Sequence, residues 1–157
     1  MQLTIRPIAS ASESHLCAEL MSSSDPWLTF RRGYDACLGR ITDPTREVYV
    51  AFEGDVFRGF LILCMTGAFT GYIQTVAVAH DARGLGIGSR LVAFAEERTF
   101  RETPNVFLCV SSFNERARAL YERLGYEPIG RLKDYLMRGH DEILMRKTIG
   151  SMAEFFA

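Results

Sequence analysis

Three alternate glycines, Gly84, Gly86 and Gly88, occur in the segment 83–90, which reads R-G-L-G-I-G-S-R. Glycine lets backbone N–H groups turn inward without a Cβ in the way, and the first amides of a helix have no intrahelical partner. Apolar residues with helical spacing follow over 89–100. Free amides at the positive end of a helix dipole form a site for phosphate. The pattern therefore predicts a phosphate-binding loop, against the simpler alternative that the glycines only tighten a strand–helix turn.

Two common phosphate loops fit this segment poorly. A nucleoside-triphosphate loop has Lys-Ser/Thr after its last glycine, whereas Gly88 is followed by Ser89 and Arg90. A dinucleotide fingerprint has G-x-G-x-x-G and an acidic residue at the end of the next strand. Here the spacing is G-x-G-x-G, and the next predicted strand ends at Val110-Ser111.

A third pattern fits. The segment resembles the acetyl-CoA-binding motif of the GNAT superfamily of N-acetyltransferases, Arg/Gln-x-x-Gly-x-Gly/Ala, at Arg83, Gly86 and Gly88. The segment 114–126, N-E-R-A-R-A-L-Y-E-R-L-G-Y, is similar to the family's Asn-x-x-A-x-x-x-Tyr-x-x-x-Gly-Phe/Tyr pattern. The resemblance is specific over 72–126 and topological over the rest of the chain.

The resemblance implies acetyl-CoA as the cofactor. The pyrophosphate of CoA would rest on the amides of 84–89, and the pantetheine arm would lie along 76–78 as an added strand. That arrangement requires the strand at 76–78 to splay from the strand at 106–110, and an N–H near Val76 or Val78 would act as an oxyanion donor. The cofactor-binding residues implied in this way are Val76, Ala77, Val78, Arg83, Gly84, Leu85, Gly86, Ile87, Gly88, Ser89, Asn114 and Tyr121.

Tyr121 is the candidate catalytic residue. It lies seven residues after Asn114, two helical turns, so both project from one face of a helix. In the family this face looks at the thioester, and the resemblance implies that Tyr121 bonds the CoA sulfur and protonates the departing thiolate. A phenol with a pKa of about 10 can serve a thiolate with a pKa of about 8.5, with a small driving force. The alternative is a core tyrosine whose hydroxyl is satisfied locally.

The sequence does not identify a general base. Some family members use a Glu on the central strand or its neighbour, where this chain has Gln74 and Thr75. Ribosomal-protein N-terminal acetyltransferases have a Glu at the position of Cys109, which argues against that subgroup. Glu142 and Asp134 could take the proton through water, and both could equally be solvated turn charges.

These features favour an N-acetyltransferase that moves an acetyl group from acetyl-CoA to a primary amine by direct attack in a ternary complex. The amine could belong to a small molecule or to a peptide or protein. Three alternatives stay open: an N-acyltransferase for longer acyl-CoA, a protein or peptide N-terminal modifier, and a non-catalytic acyl-CoA-binding module.

The elements that would position these residues follow the order β-α-α-β-β-β-α-β-α-β-β, an α/β (α+β) pattern. By resemblance this implies the GNAT acyl-CoA N-acyltransferase fold, a mixed, mostly antiparallel central sheet of six to seven strands flanked by about four helices. We expect one such domain over 1–150 and a C-terminal tail at 151–157.

Three local predictions bear on the site. A helix over 27–41 carries the aromatic residues Trp27, Phe30 and Tyr34, a stripe more typical of a core than of a substrate platform. The apolar run at 106–110 indicates a strand covered on both faces. The pattern Ser-x-x-Glu at 112–115 resembles a capping box and predicts a helix that begins near Asn114.

Composition limits the remaining possibilities. The chain has 157 residues, 48% of them hydrophobic and 24% charged, which is typical of a soluble globular protein. A net charge of -1 gives no reason to expect nucleic acid or an anionic membrane as a partner. No apolar run approaches the roughly 20 residues that span a bilayer, and the start lacks the features of a signal peptide.

Four cysteines without a C-x-x-C pair favour reduced thiols, and three dispersed histidines argue against a metal site. We expect a cytoplasmic monomer or homodimer whose partner is an amine acceptor.

Overall fold

The computed structural model describes residues 2–157. Its strands are Leu3–Pro7 (β1), Glu47–Glu53 (β2), Val56–Cys64 (β3), Tyr72–Val78 (β4), Asn105–Ser111 (β5), Glu127–Met137 (β6) and His140–Thr148 (β7). Its α-helices are Ala11–Ser22 (α1), Tyr34–Ile41 (α2), Ile87–Thr99 (α3), Glu115–Arg123 (α4) and Met152–Phe155 (α5), and a short 3₁₀ helix spans His80–Ala82. No helix within residues 2–157 is long and apolar enough to cross a membrane.

The strands form one sheet in the order β1-β2-β3-β4-β5-β7-β6. All neighbours are antiparallel except β4 and β5, which run parallel. These two strands pair only where Tyr72 lies opposite Phe107 and Ile73 opposite Leu108, and they separate beyond. The predicted sheet is confirmed, and so is the splay of the central strand.

Helices cover both faces of the sheet. Four consecutive residues of β3, 60–63, are fully buried, because neighbours along a strand face opposite sides. Phe60 and Ile62 pack in the cluster that holds the inner side chains of α1 and α2. Leu61 and Leu63 pack in a second cluster with α3 and the inner side of α4. The centre of the sheet is thus fixed between two helical layers.

Strand β5 differs from its prediction, because only one of its faces is fully covered. Val106, Leu108 and Val110 are buried, whereas the residues between them are partly exposed. Phe107 packs edge-on against the exposed Phe69, with ring centroids 5.1 Å apart, and Cys109 faces a cavity. The departure of β4 opens this second face.

The helix predicted over 27–41 is wrong in its first half, because α2 begins only at Tyr34. Gly33, the residue before it, is extended with φ -77° and ψ 177°, and the chain before it forms turns. Trp27 and Phe30 therefore lie on an irregular connection rather than on a helical face.

The predicted tail at 151–157 contains the short helix α5. The side chain of Ser151 accepts a hydrogen bond from the N–H of Glu154, and the carboxylate of Glu154 accepts one from the N–H of Ser151. This reciprocal pair orders the first turn of α5. A single domain over 1–150 stays a prediction.

Gly71 fixes the point at which β4 and β5 meet. Its N–H donates to the carbonyl of Cys64 at 3.0 Å, and its carbonyl accepts from the N–H of Phe107 at 2.9 Å. Its φ is +90°, and an added Cβ would lie 2.4 Å from Cγ2 of Thr99 and 2.6 Å from the carbonyl oxygen of Asn105. Only glycine fits this junction.

We expect Gly71→Ala to lower the free energy of unfolding by about 2–4 kcal/mol, because left-handed strain and overpacking add. Gly67→Ala is the matched control, since Gly67 has φ +91° but nothing within 4 Å of the added Cβ. Gly67→Ala therefore has the backbone strain of a left-handed φ without the overpacking. Urea unfolding of both variants measures the difference, and equal losses would contradict the steric role of Gly71.

Candidate active site

A cleft of about 860 Å³ opens where β4 parts from β5, between the glycine loop and α4. Every predicted cofactor-binding residue lines this cleft except Leu85, whose side chain points away and is 68% exposed. The residues brought together are Val76, Ala77, Val78, Arg83, Gly84, Gly86, Ile87, Gly88, Ser89, Asn114 and Tyr121.

The glycine loop presents backbone donors at the start of α3. Gly84 and Gly86 have φ of 79° and 81°, and Gly86 is the N-cap of α3 with no side-chain cap bond. The helix begins its ladder with the N–H of Arg90 on the carbonyl of Gly86, at 3.2 Å. The amides of 87–89 precede that bond and have no carbonyl acceptor within the helix. This 13-residue helix thus offers free N–H groups and a positive dipole end to an anion.

Gly88 serves a different purpose from the two glycines before it. An added Cβ here would come within 3.7 Å of Cγ2 of Val78 and 3.9 Å of Cδ2 of Leu120, which is ordinary contact distance. Gly88 therefore marks the close approach of α3 to β4 and α4.

Three arginines, Arg83, Arg116 and Arg123, line the cleft, with Asp25 as its one acidic lining residue. Arg83 donates through Nε to the carbonyl of Val78 at 3.3 Å and through Nη2 to the hydroxyl of Ser24 at 3.2 Å. Its guanidinium is thereby held across the end of β4. The family motif did not include the two arginines of α4.

A helical stripe on α4 explains their placement. Arg116, Leu120 and Arg123 lie at spacings of four and three residues and line the same cleft. This spacing was present in the sequence and is the signal by which both arginines could have been found.

Asn114 begins α4, as predicted. Its side-chain oxygen accepts a hydrogen bond from the N–H of Ala117 at 3.2 Å. The cap is thus Asn114 itself rather than the predicted capping box that starts at Ser112. The cap fixes the first turn of α4 and, with it, the direction in which Tyr121 projects.

Tyr121 is partly buried between α4 and the sheet and lines the cleft. Burial alone raises the pKa of its phenol to about 12, above the value expected from the sequence. Its ring packs edge-on against Tyr126, with centroids 6.0 Å apart. The hydroxyl of Tyr126 donates to Glu96 at 3.0 Å, and Lys147 donates to the same carboxylate at 2.8 Å. This network joins α3 to β7 beside Tyr121.

A second, small cavity of about 280 Å³ adjoins the cleft. Among the residues that line both are Trp27, Val76, Asn114 and Tyr121, so the two spaces meet beside the phenol. Trp27 also packs on the core cluster of α1 and α2. It therefore serves both as core and as cavity wall.

Three rings from separate parts of the chain cluster beside these cavities, and Phe30 and Phe113 of the three are lining residues. Phe30 precedes α2, Phe113 precedes α4, and His140 begins β7. The ring centroids are 5.9 Å apart for Phe30 and Phe113, 6.4 Å for Phe30 and His140, and 5.1 Å for Phe113 and His140. This rim cluster joins parts of the chain that are distant in sequence.

The small cavity ends on a polar floor of Thr75, Ser111 and Glu142, each at most 4% exposed. The pKa of the Glu142 carboxyl is raised, chiefly because burial penalises its charged form, while Ser111 and His140 offset part of that rise. Glu142 lies directly opposite Ser111 in the pairing of β5 with β7. Of the two carboxylates that the sequence left open, Glu142 is the one that lines the small cavity.

Asp134, the other carboxylate, lies in an irregular part of β6. It is exposed, has a left-handed φ of 53°, and accepts a hydrogen bond from the N–H of Gly139 at 2.7 Å. These contacts place it in the β6–β7 hairpin, outside both cavity linings.

Cys109 is the cysteine that faces the small cavity. It is partly exposed, whereas Cys17, Cys37 and Cys64 are buried, and all four thiols are free. Burial raises the pKa of the Cys109 thiol, and the neighbouring Tyr72 hydroxyl lowers it only in part. The thiol is therefore mainly protonated at neutral pH and is not an activated nucleophile.

A sheet split at its parallel pair, with an uncapped helix start in the gap, is the architecture that the resemblance implied for acyl-CoA-dependent acyltransferases. The profile of the Acetyltransferase (GNAT) family matches residues 12–126. The chain belongs to this family.

Individual relatives agree with that assignment. The N-alpha-acetyltransferase RimI of Mycobacterium tuberculosis is 29% identical over 143 residues, which are 87% of this chain and 85% of that protein. An uncharacterized protein of Mycobacterium leprae is 33% identical over 142 residues, 83% of this chain, but the match spans only 37% of that protein's length.

A solved structure shares the fold. An aminoglycoside 6'-N-acetyltransferase complexed with coenzyme A superposes with a TM-score of 0.77 at 20% identity, over 94% of this chain and 98% of the other. The predicted GNAT class, an acyltransferase with acetyl-CoA as its cosubstrate, is confirmed by the family match.

The raised pKa of Glu142 predicts how stability depends on pH. The folded state holds the proton of Glu142 more tightly than the unfolded chain, in which a Glu carboxyl has a pKa of about 4.3. The folded protein therefore loses stability as the pH rises from about 4.3 through the pKa of Glu142 in the folded state. Glu142→Gln removes this loss. We therefore expect the Tm of the variant, relative to the native chain, to increase from pH 4 to pH 8.

The exposed Glu97 supplies the control. Glu97→Gln should shift Tm by the same small amount at every pH, as thermal unfolding in a pH series would show. A Glu142→Gln advantage that shrinks with rising pH would contradict the buried, proton-retaining state of this carboxyl.

Proposed function

We propose that this protein is an N-acetyltransferase that moves the acetyl group of acetyl-CoA to a small primary amine by direct attack in a ternary complex. The observation that carries the proposal is the meeting of two cavities at Tyr121, beside the part of β4 that leaves β5. The cleft takes the cosubstrate and the small cavity takes the amine. Both reactants can then be bound at once, as direct attack requires.

The glycine loop is the proposed seat of the CoA diphosphate. The uncapped start of α3 supplies N–H donors, and Arg83, Arg116 and Arg123 add positive charge along the same cleft. The side chain of Leu85 is exposed, so Leu85 would contribute to this seat only through its backbone N–H.

Strand β4 is the proposed guide for the pantetheine arm. Its residues 74–78 have no partner in β5, so the polar groups on that edge are available to a ligand that adds as a strand. A backbone N–H near Val76 or Val78 would then donate to the acetyl carbonyl, which becomes negative as the amine attacks.

Tyr121 is the proposed hydrogen-bond donor to the CoA sulfur. With a pKa of about 12 its phenol stays protonated at every pH at which an amine acceptor is used. Full transfer of the proton to a thiolate of pKa about 8.5 is uphill, so the donor stabilises the thiolate as the C–S bond breaks and gives up the proton late.

The charge of the small cavity favours an acceptor with few positive charges. Its lining includes Arg32 and Arg40 beside the carboxyls of Asp25 and Glu142, so it has no acidic excess. A polycation with several amino groups, such as an aminoglycoside, would need such an excess to be bound. We propose a single small amine, and a cytoplasmic location in keeping with four free thiols.

Thiol release on mixing the protein with acetyl-CoA and an amine panel tests the function. We expect turnover with the small amines propylamine and alaninamide and much less with spermidine. Binding of CoA without turnover would instead indicate an acyl-CoA-binding module, and faster release from octanoyl-CoA would indicate a longer acyl group.

Two glutamate substitutions control the cosubstrate site in this assay. Gly86→Glu adds a negative side chain at the proposed diphosphate seat and should abolish CoA binding measured by calorimetry. Gly67→Glu is a control with a similar positive φ, +91° against +81°, and open space outside the cleft, so it should bind CoA normally. Retained binding by Gly86→Glu would contradict the loop assignment.

Tyr121→Phe should lower kcat by about 100-fold while the Kd for CoA stays within about twofold, because the lost donor acts on the departing thiolate. Tyr34→Phe is the control, because it removes a phenol on α2 that bonds His15 and is not part of either cavity lining. It should keep the native kcat. Equal rates for the native chain and Tyr121→Phe would exclude the donor role.

A further inference from the structure

Buried polar atoms without a partner converge on one place in this structure. Within residues 2–157, four buried side-chain atoms lack a hydrogen bond: Oγ1 of Thr75, Oδ1 of Asn105, Oγ of Ser111 and Oε2 of Glu142. Three of the four form the polar floor of the small cavity. Ser111 lies near enough to Glu142 to lower its pKa, but its Oγ and Oε2 of Glu142 make no hydrogen bond. Buried polar groups in native proteins are almost always paired, so three unpaired atoms together call for a ligand that satisfies them.

The chemistry of the polar floor selects that ligand. A carboxylate only accepts hydrogen bonds, and a hydroxyl can accept as well as donate. Thr75, Ser111 and Glu142 come from β4, β5 and β7, so three separate strands contribute acceptors to one cavity lining. An ammonium group, with three N–H donors and a positive charge, matches three such acceptors around one carboxylate.

The walls above the polar floor suit the same group. Trp27, Phe30, Tyr72 and Tyr135 all line the small cavity. Aromatic faces attract a cation and exclude water, and both effects strengthen its attraction to a buried carboxylate.

We propose that Glu142 binds the ammonium group of the acceptor and takes its proton, while the hydroxyls of Thr75 and Ser111 orient the nitrogen. The proposal rests on the function proposed above and assigns its missing general base. Glu142 would be a catalytic residue, since it touches the nitrogen that reacts.

The proton balance of the reaction is then complete. The acceptor R-NH₃⁺ gives one proton to Oε2 of Glu142, and the freed lone pair attacks the acetyl carbon, so a C–N bond forms. The C–S bond breaks, and the thiolate receives the proton of Tyr121. The nitrogen loses its second proton to the tyrosinate, which restores the phenol. Glu142 returns its proton to solvent when the amide leaves, so one proton is released per turnover.

The electrostatic surroundings support a proton acceptor at this position. Tyr72, Cys109, Tyr121 and Tyr135 face the small cavity from β4, β5, α4 and β6 as groups that are neutral when protonated. His140 on β7 lowers the pKa of the Glu142 carboxyl in part, by a Coulombic interaction. The cavity lining also includes Asp25, Arg32 and Arg40. Burial raises the pKa of Glu142, which makes its carboxylate a stronger base toward an amine.

The test compares Glu142→Gln with Asp134→Asn, using propylamine and alaninamide as acceptors. Glutamine keeps the shape of Glu142 but takes no proton. Asp134 is an exposed carboxylate in β6 at a left-handed φ that asparagine tolerates. We expect Glu142→Gln to lower kcat/KM by about 100-fold at pH 7, with unchanged CoA affinity and no fall in Tm, and Asp134→Asn to match the native chain.

The pH profile separates proton transfer from structure. Because a neutral amine needs no base, the loss in Glu142→Gln should shrink above about pH 8 for the α-amine of alaninamide and only above about pH 10 for propylamine. A loss that is equal at every pH, or no loss at all, would overturn the role of Glu142. Absence of turnover in the native chain with every amine would refute the proposed function instead.

Discussion

The organisation of this protein depends on the early separation of two parallel strands. β4 and β5 share only two paired positions before they diverge. A strand edge that leaves its neighbour exposes N–H and C=O groups that need other partners. The start of α3, the inner side of α4 and both cavities all border this gap. An extended ligand can therefore bind in the gap by pairing with these backbone groups.

Several contacts keep the gap at a fixed width. Gly71 holds the point of divergence, and the Tyr126–Glu96–Lys147 network ties α3 to the far side of β5. The cap at Asn114 sets the direction of α4. Gly71 and this network lie outside both cavity linings, and the Asn114 cap bond is made within α4, so the scaffold rather than the hydroxyl of Tyr121 determines the position of Tyr121.

Features that depend on short stretches of chain were predictable from the sequence. The glycine loop, the start of α4 and the projection of Tyr121 all follow from spacings of two to seven residues. The irregular chain around Trp27 was missed because its aromatic spacing mimics a helix, although Gly33 delays the start of α2. The burial of Glu142 was not readable, because it depends on the register that sets β7 against Ser111. Long-range pairing decides that register, and no local pattern encodes it.

The rim cluster of Phe30, Phe113 and His140 has an evolutionary consequence. Phe30 and Phe113 lie on different connections, His140 begins β7, and none of the three lies in the glycine loop. Phe30 lines the small cavity and Phe113 lines the cleft, so substitutions in the cluster can reshape either space and leave the opening of α3 intact. Proteins descended from one ancestor could thus differ in the molecules that they admit, through changes in single segments, while they inherit the same glycine loop.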